Sequence, residues 1–229
     1  MEEKKQIGQL FDRIAGTYDK FNHVLSLNID KSWRRRAVKD MKPCSEMLDV
    51  AIGTADLSIE ALRQGKASSV VGIDLSEEMM KIGEKKVEAK GYAGKVVFEA
   101  GSALQMPYEA DRFDAVTCGY GVRNFSDLDK GLSEMHRVMK PGGQLMILEF
   151  SYPSNPFVRF FYNLFFTYVM PLVGKAISKE KSAYKYFMKS VKDFIWGEEM
   201  LGHIRAAGFV DCSFKTLTFG ITTIYRAQK

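Results

Sequence analysis

Four short stretches of this sequence combine small residues with polar ones in a way suited to holding a ligand. The first is Asp49-Val50-Ala51-Ile52-Gly53-Thr54-Ala55-Asp56, where small residues at 51, 53 and 55 let the backbone approach a bound molecule closely and then open a helix. Asp74 follows 21 residues beyond Gly53, where an acidic group accepts hydrogen bonds from both hydroxyls of a ribose. Gly101-Ser102-Ala103 and Cys118-Gly119-Tyr120-Gly121 are the other two. A nicotinamide dehydrogenase also pairs a glycine-rich turn with a later acid. Its fingerprint needs GxGxxG to seat a pyrophosphate, and GTADLS does not supply it. The loop suits an adenosyl ligand without phosphates; tight turns in an α/β sheet are the plain alternative.

Strands must bring these stretches together. Met47–Ala51, Val70–Ile73, Val96–Phe98, Phe113–Cys118 and Leu145–Phe150 are short apolar runs of strand character. Helical segments separate them: residues 77–90, and a second segment with Leu128, Leu132, Met135 and Met139 at helical spacing, stopping at Lys140-Pro141-Gly142-Gly143. Such alternation predicts right-handed βαβ units and a parallel sheet covered on both faces. Each ligand-type stretch then follows a strand, the end at which open α/β sheets bind ligands. Val210–Leu217 and Ile221–Arg226 are joined by only Thr218, Phe219 and Gly220, a connection short enough only for antiparallel neighbours. The first forty residues read as two helical stretches.

With 229 residues, 46% hydrophobic and 27% charged, the chain fits one soluble domain, which excludes a disordered or collagen-like class. Its three cysteines form no CxxC pair, so no metal site or disulfide scaffold is expected. The charged N-terminus lacks the apolar core of a secretory signal, which points to the cytoplasm. Half of the aromatic residues fall between Phe150 and Trp196, and residues 175–192 carry a net +5, equal to the formal charge of the whole chain. The basic character is therefore one local patch and does not point to nucleic acid.

The segments LDVAIGTADLS, VVGIDLSEEMM, FDAVTCGYGVRN, MHRVMKPGGQLMILEFS and AGFVDCSFKTLTFGITTI together resemble the ubiquinone/menaquinone C-methyltransferases, from about Phe11 to about Ile224. The resemblance implies a Rossmann-like class I methyltransferase of the α/β class. Its seven-stranded sheet would be mostly parallel with an antiparallel last strand, with an N-terminal helical lid and a helical insertion between strands five and six. It divides the single domain into a lid (1–42), a cofactor-binding core (43–150), an acceptor-side insertion (151–197) and a C-terminal helix and hairpin (198–229). It implies S-adenosylmethionine as methyl donor and a polyprenylated quinol as acceptor. Demethylmenaquinol is the favoured acceptor and a ubiquinone precursor the alternative. A non-catalytic cofactor-binding or membrane-associated module is the reading of a different class. Carried over by motif, the donor contacts are Gly53, Thr54, Asp74, Ser102, Ala103 and Gly119. The family usually reads AGGTGD where this chain has Ala51-Ile52-Gly53-Thr54-Ala55-Asp56. Ile52 adds a side chain beside the methionine moiety, and both replacements are tolerated if φ is negative at 52 and 55.

A sulfonium methyl needs an electron-rich ring carbon in line with it, in a site without competing water. Arg123 is expected to stabilise the phenolate of the acceptor, Asn124 to orient the same hydroxyl, and Tyr18 in the lid to close over both substrates. Arg123 has a second reading, a structural salt bridge to Asp127 or Glu149. Asp19 and His23, four residues apart, read as a solvated helix contact, and Asp114 reads as structural. Phe157–Tyr168 suits an isoprenoid tail, with the lysines of 175–192 toward anionic headgroups at the inner face of a membrane. A helical cap with a solvated lysine face is equally consistent. The oligomeric state stays open, a homodimer among the options.

Overall fold

A computed structural model describes residues 2–169 and 181–229. Pro171, Lys175, Lys179 and Glu180 of the insertion lie outside the described residues. Helices α1 (Glu2–Leu25) and α2 (Ile29–Lys39) precede strand β1 (Cys44–Val50). Then follow α3 (Asp56–Arg63), β2 (Ala67–Asp74), α4 (Glu77–Ala89), β3 (Val96–Ala100) and β4 (Phe113–Gly119). A 3-10 turn (Val122–Asn124) leads to α5 (Leu128–Val138) and β5 (Met139–Phe150). The chain continues through α6 (Pro156–Leu164) and a π turn (Phe165–Val169), then α7 (Lys181–Asp193), α8 (Glu198–Ala206), β6 (Val210–Leu217) and β7 (Thr222–Gln228).

The strands form one seven-stranded sheet in the order β3-β2-β1-β4-β5-β7-β6, with β7 antiparallel to both neighbours and every other pair parallel. The C-terminal hairpin therefore joins the sheet by inserting β7 between β5 and β6. Apolar side chains alternate along β5. Leu145 and Ile147 pack with Leu132, Met135 and Ile204 on one face, whereas Met146 and Leu148 pack with Trp33, Val38 and Leu62 on the other. Both faces are thus buried, as a parallel sheet requires.

The helical period that includes Met139 overshoots by one residue. Helix α5 ends at Val138, and Met139 starts a strand paired with Phe113. The backbone amides of Asp111 and Arg112 donate to the carbonyls of Arg137 and Val138, so the end of α5 is satisfied from the neighbouring turn. Between Met139 and Gln144 the strand bulges through Pro141, Gly142 and Gly143 before regaining register.

Candidate active site

Strands β1 to β4 point their carboxyl ends at one region, so residues 51, 53, 74–75, 101–104 and 119–121 meet there. They line a cavity with about 790 Å³ of empty space, open solvent at its mouth included. Gly8, Phe11 and Tyr18 of α1 close one side, and Asn124, Phe125 and Ser126 another. A smaller cavity shares Tyr18, Ala51, Gly53, Gly119 and Tyr120 with it and adds Arg34, Asp49, Thr54 and Asp56. Of the carried-over donor contacts, Gly53, Asp74, Ser102, Ala103 and Gly119 line the larger cavity, together with Tyr18 and Asn124. Thr54 lines the smaller one, and Arg123 lines neither.

The Asp74 carboxylate accepts from the Gly53 amide (2.8 Å) and the Ser76 amide (2.9 Å), which ties the first loop to the second. Burial pushes its pKa up, partly offset by these amides. Each oxygen keeps a second lone pair for a ligand. Ser102 Oγ accepts from the Leu104 amide (3.2 Å) and shapes the third loop.

The condition of a negative φ is met at 52 and not at 55. Ala55 has φ 62° and Ala51 φ 57°, both left-handed, whereas Ile52 is not among the positive-φ residues. The loop keeps a backbone suited to glycine while carrying alanine, a strain of about 1–2 kcal/mol per residue. The Ile52 side chain is accommodated by an absence elsewhere: a Cβ on Gly72 of β2 would lie 2.0 Å from Ile52 Cδ1. Ile52 packs on that bare backbone with Ala55, Met80 and Val87.

Helix α1 is tied to the first loop by a charged network that includes Asp19, which reads from the sequence as a solvated helix contact with His23. Thr54 Oγ1 donates to Asp19 of α1 (2.7 Å), and Lys86 of α4 bridges Asp19 (2.8 Å) and Asp56. Arg34 of α2 pairs with Asp30 (2.6 Å) and Asp56 (3.2 Å) and lies 5.9 Å from the Tyr120 ring centroid. His23 contacts Asp30 at 2.8 Å, so Asp19 and His23 are engaged apart. Asp49, flanked by Gly72 and Thr117 in the sheet, is buried and accepts from the Ser58 and Thr117 hydroxyls. Burial raises its pKa to about 6. A carboxylate inside the apolar run MLDV was the available signal for it.

Arg123 takes the brace geometry, with Glu149. Its side chain is 3% exposed and that of Glu149 is fully buried, 2.8 Å apart. The guanidinium also donates to the Tyr120 carbonyl and lies 5.4 and 5.5 Å from the Phe150 and Phe187 ring centroids. Asp127 instead caps α5, accepting from the Lys130 amide (2.9 Å). Asn124 Oδ1 accepts from Tyr186 (2.9 Å), which fixes its amide at the cavity wall. Burial raises the pKa of the Tyr18 phenol, while Arg123, an Asn22 hydrogen bond and Arg34 pull it down. Asp114 sits at the far end of β4, accepting from the Ser45 and Glu46 amides and pairing with Lys140 (2.6 Å).

The family model described as the ubiE/COQ5 methyltransferase family matches residues 1–229. A Bacteroides fragilis protein named demethylmenaquinone methyltransferase is 43% identical over 230 residues, spanning 100% of this chain and 94% of its own. A Geotalea daltonii protein named ubiquinone/menaquinone biosynthesis C-methyltransferase UbiE is 42% identical over 231 residues, spanning 100% of this chain and 98% of its own. A solved Thermotoga maritima structure described as a SAM-dependent methyltransferase superposes with a TM-score of 0.68 at 20% identity, covering 96% of this chain and 99% of that one. At that identity the superposition speaks to the fold alone.

Proposed function

The chain belongs to the ubiE/COQ5 methyltransferase family, and from that premise we propose that it transfers the methyl group of S-adenosylmethionine to a ring carbon of a polyprenylated quinol. The observation that carries the donor is the charge of the larger cavity. Among the described residues Asp74 is the one ionic side chain in its lining, and none of those that line it is a lysine or arginine. A pyrophosphate or a 2′-phosphate would meet no cation there, whereas a sulfonium is favoured beside a carboxylate. Ile73, Leu75, Met79 and Leu104 supply apolar surface for an adenine, and Asp74 the acceptors for its ribose.

The residues present fit that donor. Gly53, Ser102, Ala103 and Gly119 would hold it along the strand ends, with its methionine end in the smaller cavity beside Thr54 and Asp49. The donor supplies the electrophilic methyl. The acceptor carbon ortho to a hydroxyl becomes nucleophilic as that hydroxyl loses its proton. The new C–C bond would form as the S–C bond breaks, leaving a neutral thioether; the ring proton would pass to solvent, and the phenolate would regain its proton from solvent. Tyr18 and Asn124 are the catalytic residues of this reading, meeting the acceptor at the cavity wall. Arg123 acts behind them as a positioning residue. Its charge favours the phenolate, and its bonds to Glu149 and the Tyr120 carbonyl fix the loop. Helix α1 excludes water by closing over the cavity. Demethylmenaquinol is the proposed acceptor, supported by the name of the Bacteroides fragilis relative.

Calorimetry with S-adenosylmethionine tests the donor site. Asp74→Ala is expected to weaken binding at least about tenfold, equal to 1.4 kcal/mol. Asp114→Ala, at the opposite end of the sheet, should leave it unchanged. Equal affinities in the two variants would remove Asp74 from the site.

A further inference from the structure

We propose that Arg34, the arginine that α2 turns inward, binds the carboxylate at the methionine end of S-adenosylmethionine. Three arginines follow one another at 34–36; Arg35 and Arg36 are exposed, whereas Arg34 is 8% exposed. It shares the buried face of α2 with Asp30, Trp33, Ala37 and Val38, at helical spacing. Trp33, Ala37 and Val38 belong to one apolar cluster with Met47, Leu57 and Leu62. An apolar side chain at 34 would extend that face without the cost of desolvating a guanidinium, so the charge points to a use. Arg34 is the one lysine or arginine among the described residues that line the smaller cavity, and Asp49 and Asp56 line it too. A cation and two carboxylates in one small cavity match the two charges of an amino-acid end. The guanidinium takes its carboxylate and the acids take its ammonium.

The guanidinium is engaged without being used up. Its Nη1 donates to Asp30 Oδ2 (2.6 Å), and its Nη2 lies 3.2 Å from Asp56 Oδ2. Those are two contacts for five N–H donors, set in a planar fork that meets both oxygens of a carboxylate. The Asp56 contact is the longer one, and Asp56 keeps Lys86 on its other oxygen when Arg34 gives that contact up. Asp30 is the fixed partner: it also accepts from Ser26 Oγ (2.6 Å) and contacts His23 (2.8 Å), which anchors the guanidinium beside the cavity. Lys86 is not equipped for the same task. Its ammonium donates to Asp19 (2.8 Å), Thr54 (3.1 Å) and Asp56, which accounts for all three of its protons, and it is not among the residues lining the cavity. Arg34 takes this role only if the methyltransferase reading holds, because the carboxylate comes from that donor.

Calorimetry of the full chain with S-adenosylmethionine and with decarboxylated S-adenosylmethionine, which keeps the sulfonium and the amine, is the test. The wild type should bind the complete donor about 10–100-fold more tightly than the decarboxylated one. In Arg34→Met that preference should shrink to within about threefold, through lost affinity for the complete donor alone. Arg34→Lys, which keeps the charge without the fork, should fall between the two. The ratio of the two affinities is the readout, because an Arg34 that only braced α2 would weaken both ligands alike and leave the ratio where it was. An unchanged ratio in Arg34→Met, or equal affinities in the wild type, overturns the role of Arg34 and leaves the methyltransferase reading standing. A wild type that binds neither compound overturns that reading, and the role of Arg34 with it. Should Arg34→Met fail to fold, Arg34→Lys decides: a ratio equal to wild type overturns the role.

Discussion

Asp49 shows how a single buried group ties stability to pH. Its folded pKa of about 6 lies above the ordinary carboxylate value of about 4. The protonated form is favoured in the folded state, so its stabilisation is present at low pH and is lost as pH rises from about 4 to about 6. Two pH units correspond to no more than about 3 kcal/mol. Urea midpoints should therefore fall across that window in the wild type and stay nearly level in Asp49→Asn; parallel profiles would contradict the assignment. A ligand bearing positive charge reverses the penalty, so S-adenosylmethionine should bind more tightly as pH rises through 6, a trend that calorimetry in the same variant should abolish. Arg123 makes a sharper division between chemistry and bracing. Arg123→Lys exchanges a five-donor fork for a point charge and should lower turnover about 10²–10³-fold. It should also lower the melting temperature by several degrees, because the Glu149 pair is buried. The decisive readout is the pH dependence of the remaining turnover. An alkaline displacement supports a field acting on the acceptor hydroxyl, whereas an unmoved profile with only a lower melting temperature leaves Arg123 a brace. The residues that follow strands, from Gly53 to Gly119, were legible because sheet geometry gathers them. Glu149 as the choice over Asp127 was not, because it depends on the β4–β5 register that sets Gly119 beside Leu148.

At the scale of elements, the first loop and the strand beneath it form one unit. Ile52 fits because residue 72 has no side chain, so Gly72→Ala should cost about 1–3 kcal/mol by overpacking. Ile52→Ala in the same chain should recover part of that loss, giving a double variant more stable than the sum of the two single effects. Strict additivity in denaturant titrations would show that the two positions do not meet. This coupling was invisible in the sequence, where Ile52 looked like an intrusion on the ligand; only the pairing of Asp49 with Gly72 brings the two together. The left-handed alanines were equally hidden, since side-chain type argued for a negative φ. The strand–helix alternation was plain because each strand is a short apolar run. The start of β5 was not, because Met139 satisfies the helical period and the strand pairing with Phe113 overrides it. The hairpin was readable from its three-residue connection, but the slot that β7 fills between β5 and β6 is a long-range choice.

Across the whole molecule, the sheet separates two kinds of work. The carboxyl ends of its strands carry the larger cavity under α1, and the far ends carry Asp114 and its amide partners, which serve the fold. The network of Asp19, Thr54, Lys86 and Asp56 ties the first helix to the loop and to α4, so the position of α1 and the shape of the smaller cavity are coupled. An aromatic row leads from Tyr120 through Phe150, Phe187 and Phe166 to Tyr162 on the buried face of α6. This arrangement makes one central claim, that the chain methylates the ring of a polyprenylated quinol. Mass analysis of reduced demethylmenaquinone after incubation with the chain and S-adenosylmethionine tests it most directly. A gain of one methylene on the ring, lost in Asp74→Ala and retained in Asp114→Ala, is the predicted result; no mass gain on this or any other quinol would contradict it.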